Sequence, residues 1–213
     1  MSLRKLFWDD PYRVECDARV VTVKGDMAML DQTIFCAFSG GQESDAATIG
    51  GRPVLAARKE GLDILYTLAP DHGLVAGDAV KVVIDWDRRY RLKRLHFAAE
   101  FILELMYRKC PGVGKIGAHI AAEKSRIDFV RTRSVSPLLP SFTEEAQALI
   151  RSDLPIESAF SDVEAQRRYW KIEGFSQVPC GGTHLKRPGE VGSIRLKRDN
   201  VGKGKERFNI LLD

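Results

Sequence analysis

The sequence predicts an α+β protein in which a β-rich domain, residues 1–85, precedes an α+β domain, residues 86–213. Three observations predict it. Short β-branched runs alternate with glycine-bearing turns up to Ile84. At Asp85-Trp86-Asp87 the apolar spacing changes from alternation to steps of three and four. Two further β runs close the chain.

Taken in order, Cys16 to Lys24 and Met27 to Phe35 read as strands around Gly25-Asp26, a hairpin signal. Val54 to Arg58 and Ile64 to Leu68 repeat the pattern around Glu60-Gly61, and Val80 to Ile84 follows Gly77-Asp78. Strands at this spacing predict a small barrel or a sandwich. Leu92, Leu95, Ala99, Ile102 and Met106 then mark an amphipathic helix, capped by Asp85 or Asp87 and ended by Pro111-Gly112. A second helix is expected from Ser141, because Ser141-Phe-Thr-Glu144 has capping-box spacing, and a third near Asp162 to Tyr169. Ser193 to Lys197 and Arg207 to Leu212 are the closing strands, joined by a loop with Gly202 and Gly204.

Composition narrows the class. The 213 residues are 44% hydrophobic and 29% charged with a net charge of +4, an ordinary globular balance that permits a polyanionic partner without demanding one. No apolar run approaches the roughly 18 residues that cross a bilayer, and the N-terminal stretch lacks a signal-peptide core, so a cytoplasmic protein without a membrane partner is expected. The four cysteines (Cys16, Cys36, Cys110 and Cys180) are scattered and form no CxxC, which predicts thiols in a reducing compartment.

Two short motifs carry chemistry. His96 and Glu100 lie four apart on the long helix and share a face. Far downstream, Cys180-Gly-Gly-Thr-His184 offers a thiol and an imidazole four apart, with glycines that let the loop curl. Imidazole, thiolate and carboxylate are all competent zinc ligands, and two pairs from separate segments suffice for a tetrahedral site. His72, in a Pro-Asp-His-Gly turn, is expected at the surface.

Five cations between Arg88 and Arg94, and eight basic against three acidic residues between Lys186 and Arg207, bracket that site. Solvated faces explain each patch alone; together they suit a phosphate backbone, with Arg88, Arg89, Arg91, Lys93, Lys197 and Lys203 as the candidate contacts. Phe38-Ser39-Gly40-Gly41-Gln42-Glu43-Ser44-Asp45 is a glycine-containing loop between strands.

Asp85-Trp-Asp-Arg-Arg-Tyr90 followed by His96, together with Cys180-Gly-Gly-Thr-His184, resembles the editing domain of alanyl-tRNA synthetases and their stand-alone relatives, the AlaX proteins. The stretch Ser39, Gly40, Gly41, Gln42 and Asp45 resembles the glycine-rich motif in the N-terminal β-barrel of the longer AlaX form. Gly117 to Phe129 and Glu190-Val-Gly-Ser-Ile194 also fit, so the resemblance spans nearly the whole chain.

It implies a small β-barrel domain followed by an α+β editing domain holding one zinc ion per chain, with ligands at His96, Glu100, Cys180 and His184. It further implies editing in trans: hydrolysis of the ester in mischarged alanine tRNA, Ser-tRNA(Ala) or Gly-tRNA(Ala), without ATP. Glu100 and Thr183 are the candidate catalytic residues. The alternative is a degenerate copy that binds tRNA without turnover.

Three positions depart from the family pattern. Glu100 replaces the second histidine of His-x-x-x-His, Phe97 stands where a small hydroxylic residue is common, and Ser39 replaces a glycine. A carboxylate at position 100 is either a ligand, cancelling more of the ion's charge and leaving bound water less acidic, or a general base. Phe97 implies discrimination by shape rather than by hydrogen bonding.

Overall fold

The computed structural model describes residues 3–202 and 204–213; Lys203, one of the candidate phosphate contacts, lies outside the described residues. The architecture is mixed α and β and sheet-rich, with two α-helices among the described residues. Two compact units emerge, Met1–Ser39 with Glu43–Tyr90, and Gly40–Gln42 with Arg91–Asp213.

In the first unit, β1 (Arg4–Lys5), β2 (Glu15–Lys24), β3 (Met27–Leu30), β4 (Gln32–Thr33), β5 (Ala47–Ile49), β6 (Arg52–Pro53), β7 (Ala56–Glu60), β8 (Asp63–Thr67) and β9 (Ala79–Ile84) follow in turn. Seven of them form one sheet in the order β6-β5-β9-β2-β3-β8-β7. Its margins are consecutive in the chain: only Val54 and Leu55 separate β6 from β7. Val54 N–H donates to Ala47 O and Leu55 N–H to Thr67 O, so the chain passes from one margin to the other and the sheet is curled. Alternate residues of β2 and β9 turn inward, burying Val20, Val80, Val82 and Ile84 with Ile64, Tyr66 and Leu68. The β2–β3 turn opens on Gly25 at φ 62, the left-handed backbone that a two-residue loop of this kind requires. Asp31 interrupts the run expected to reach Phe35: its carboxylate accepts from Arg19 N–H at 2.7 Å, and β4 restarts at Gln32. His72 is buried rather than at the surface, because Nδ1 accepts Leu74 N–H at 2.9 Å and Nε2 lies 3.2 Å from Gly25 O.

The helix α1 spans Trp86–Lys109, and Asp85 caps it by accepting Arg88 N–H at 3.0 Å. The predicted stripe is buried, and so are Phe97, Ala98, Phe101, Leu103 and Leu105. A helix apolar on so much of its circumference is an interior helix.

In the second unit follow β10 (Gly114–Ile120), β11 (Ser125–Val130), α2 (Leu139–Ser152), β12 (Glu157–Asp162), β13 (Arg167–Ile172), β14 (Ser176–Pro179), β15 (Ile194–Asn200) and β16 (Lys205–Leu212). They form an antiparallel sheet β10-β11-β16-β15 and a smaller one, β12-β13-β14. Phe142 of α2 packs on Phe208, which also meets the ring of Phe129. On the smaller sheet, Trp170 meets Phe97 and Phe101 of α1.

Two expected helical features are corrected. The segment Asp162 to Tyr169 is the turn and start of a hairpin. Asp162 accepts Ala165 N–H at 2.9 Å and Gln166 takes φ 52, which folds the chain back into β13. Ser141 does not cap α2; the helix begins at Leu139, led in by a 3-10 turn over Ser136–Leu138, and the Ser141 hydroxyl donates to Leu138 O. Among the described residues no helix is long and apolar enough to cross a membrane.

Candidate metal centre

The site lies within the second unit and is assembled from α1 and the turn after β14. Cys180 leaves β14 with its N–H still donating to Arg168 O at 2.9 Å, so the ladder with β13 sets where its sulfur points. Gly181-Gly182-Thr183 then turns the chain to His184. A Cβ on Gly182 would lie 3.3 Å from His96 Cε1, 3.5 Å from Cys180 Sγ and 3.8 Å from His184 Nε2, so the glycine leaves room at the centre of the cluster.

The ligand atoms of His96, Cys180 and His184 all lie within 4.8 Å of one another. Cys180 Sγ is 3.3 Å from His96 Nε2, and Glu100 Oε1 is 3.4 Å from the same nitrogen. Glu100 therefore stands beside the three-donor group. Its Oε2, His184 Nε2 and Thr183 Oγ1 are buried with no hydrogen-bond partner among the described residues. Buried polar atoms are nearly always satisfied, and three lone ones around converging N and S donors fit a bound cation and a polar ligand.

Charge follows the same geometry. Burial pulls the His96 ring down from its ordinary value, but the Cys180 sulfur and the Glu100 carboxylate outweigh it and hold His96 up at about 10. Burial, then the charge on His96, with Arg168 and Lys93 behind it, pushes His184 well below the ordinary histidine range. The Cys180 sulfur and the Glu100 carboxylate thus favour positive charge at this point of the cluster, which a proton or a cation would supply.

Both imidazoles are held from behind. His96 Nδ1 is 2.7 Å from Gln42 Oε1, and His184 Nδ1 is 2.7 Å from Ser158 Oγ. These partners were not foreseen from sequence. Gln42 stood out only as a member of the glycine-rich motif, and Ser158 sits on β12, whose hairpin partner β13 includes residues expected to be helical. Phe97 is fully buried against Trp170 and His184, at ring separations of 5.4 and 5.5 Å.

The glycine-rich segment divides. Ser39 accepts from Lys59 Nζ at 2.8 Å in the first unit, whereas Gly40, Gly41 and Gln42 belong to the second. Asp45, also in the first unit, accepts Cys36 N–H at 2.7 Å and pairs with Arg89. Arg89 is wholly buried, with Nε 2.6 Å from Asp45 Oδ1 and Nη2 donating to Ile34 O, so the phosphate role expected of it is replaced by a structural one. Lys93 is equally buried. Arg88 pairs with Glu43 at 2.7 Å. Arg91 and Lys197 are exposed, and Arg91 Nε also donates to Ala122 O.

Residues 168–209 match the family described as the threonyl and alanyl tRNA synthetase second additional domain. Along its length the chain is 34% identical to the alanyl-tRNA editing protein AlaX-M of Pyrococcus horikoshii, covering 99% of this chain and 98% of that protein. It is 31% identical to the AlaX-M of Saccharolobus solfataricus, over 95% of this chain and 96% of the relative. The alanine–tRNA ligase of Ignicoccus hospitalis is 32% identical over 91% of this chain, which corresponds to 24% of the ligase.

Proposed function

The chain belongs to the AlaX-M family of alanyl-tRNA editing proteins, and from that premise we propose that it deacylates mischarged alanine tRNA at a zinc site. The observation that carries the proposal is the convergence of His96, Cys180 and His184 within 4.8 Å. Two imidazole nitrogens and a thiolate suit zinc, and three protein ligands are the usual number at a catalytic site, which keeps one position open. When bound, the ion supplies Lewis-acid polarisation of the ester carbonyl.

The chain's own residues do the rest. Glu100, beside the three donors and with Oε2 unmatched, is the general base that accepts a proton from the attacking water. The water oxygen bonds to the carbonyl carbon, the bond to the ribose oxygen breaks, and the proton passes to that oxygen. Thr183, a buried hydroxyl without a partner, is available to the amino-acid moiety. Phe97 offers no hydroxyl and is spent in the core, so at position 97 the serine and glycine esters are treated alike. The exposed Arg91 and Lys197 are the phosphate contacts we retain, and the N-terminal curled sheet is the family's small β-barrel. The hydrolysis needs no ATP.

Incubating the zinc-loaded protein with Ser-tRNA(Ala) and Gly-tRNA(Ala) tests this. Release of amino acid from at least one supports it; tRNA binding with no release from either favours the degenerate binding protein, for which Glu100 in place of histidine is the motive.

A further inference from the structure

We infer that Gln42, carried on the glycine-rich segment, is a positioning residue for the metal centre. By accepting the Nδ1 proton of His96 it fixes which ring nitrogen faces the ion. The inference rests on the ion-binding reading above and adds to it a role for the segment.

The geometry is specific. Gln42 is 5% exposed, and its Oε1 lies 2.7 Å from His96 Nδ1. With the proton on Nδ1, the Nε2 lone pair is directed to the side where Cys180 Sγ lies 3.3 Å away. Imidazole ligands generally give their second N–H to such an acceptor, which sets both tautomer and ring orientation.

The backbone holds Gln42 in place. Ile120 N–H donates to Gly41 O at 2.9 Å, and Gln42 forms a parallel bridge with Ile120 at the end of β10. Two glycines differ sharply in what this docking asks of them. Both have positive φ, 60 at Gly40 and 86 at Gly41. A Cβ on Gly40 meets nothing within 4 Å, whereas one on Gly41 falls well inside contact of the Ala118 carbonyl oxygen and 3.1 Å from its carbon. That oxygen is backbone and cannot swing aside. Gly41 is therefore required for close approach, and the approach delivers Gln42 to His96. Ser158 holds His184 Nδ1 in the corresponding way, so both histidines present Nε2 to the centre.

The test reads zinc affinity by chelator competition and the visible spectrum of the cobalt-substituted protein, neither of which needs tRNA. Gln42→Met removes the acceptor and is expected to weaken zinc binding by about 10- to 100-fold and to change the cobalt spectrum. Gln42→Glu keeps an acceptor and is expected to retain wild-type affinity or better. Gly41→Ala is expected to weaken binding although it touches no ligand, and Gly40→Asn, which tolerates a left-handed backbone, to leave it unchanged.

Equal zinc affinity in Gln42→Met and wild type overturns the inference, as does an equal loss in Gln42→Met and Gln42→Glu. If Gln42→Met does not fold, the pair at positions 41 and 40 decides, and identical affinities there overturn it. Absence of deacylation in a protein whose zinc affinity follows this pattern sinks the proposed activity and leaves the role of Gln42 standing.

Discussion

Two buried polar clusters are rooted on the same helix, seven residues apart, and they end differently. At Arg89 both oxygens of Asp45 are matched, and two of the three guanidinium nitrogens find acceptors inside the chain. At His96 the cluster includes Glu100 Oε2, and across the turn His184 Nε2 and Thr183 Oγ1, none with a partner among the described residues. At Arg89 a guanidinium and a carboxylate answer each other's charge, whereas at His96 three unmatched atoms lie around converging nitrogen and sulfur donors, a set suited to a cation. Charge in the interior does not by itself mark a site. Nor does one unmatched atom, since Arg89 Nη1 is also without a partner among the described residues; what marks the site is several unmatched atoms gathered beside a thiol and two imidazoles.

The comparison breaks first, and by most, at Glu100. Glu100→Gln keeps shape and removes the base, so the deacylation rate is expected to fall by on the order of 10²- to 10⁴-fold with zinc content unchanged. Loss of the ion together with activity would make Glu100 a ligand instead. Arg89→Ala tests the ion-paired cluster, leaving Asp45 as a buried unpaired charge at a cost of about 3–5 kcal/mol in chemical unfolding, with zinc per chain unaltered. A third cluster supplies a pH test. Arg198 grips the Glu206 carboxylate through two contacts of 2.6 Å and, with Val135 N–H and against burial, holds it below the usual range. A depressed folded value means that this stability is present above the unfolded value of about 4.3 and is lost as pH falls through the folded one. Acid unfolding of wild type is therefore expected to steepen below that point, and Glu206→Gln to flatten this part of the profile. The smallest effect belongs to the surface: Arg91→Ala and Lys197→Ala are each expected to lower the salt dependence of tRNA binding by about one unit of slope.

Much of this was legible in the residues. Period-two runs and glycine turns marked the first sheet, and the three-and-four spacing marked α1. Two motifs some eighty positions apart marked the donors, because Cys and His around Gly-Gly serve no ordinary packing need. What was not legible is tertiary. A run of arginines looks the same whether solvated or, like Arg89, folded onto an aspartate from another loop. The polar stretch before Tyr169 imitates a helix until Asp162 and Gln166 close a turn. The hold of Gln42 on His96 depends on a bridge to Ile120 between segments distant in sequence.

The central claim is that three donors from two distant segments share one ion. Metal analysis of the purified protein beside Cys180→Ala, both refolded with zinc and desalted, tests it most directly. One zinc per chain in wild type and close to none in Cys180→Ala is the predicted result. Equal zinc in the two would mean that the ion, if held at all, is held elsewhere.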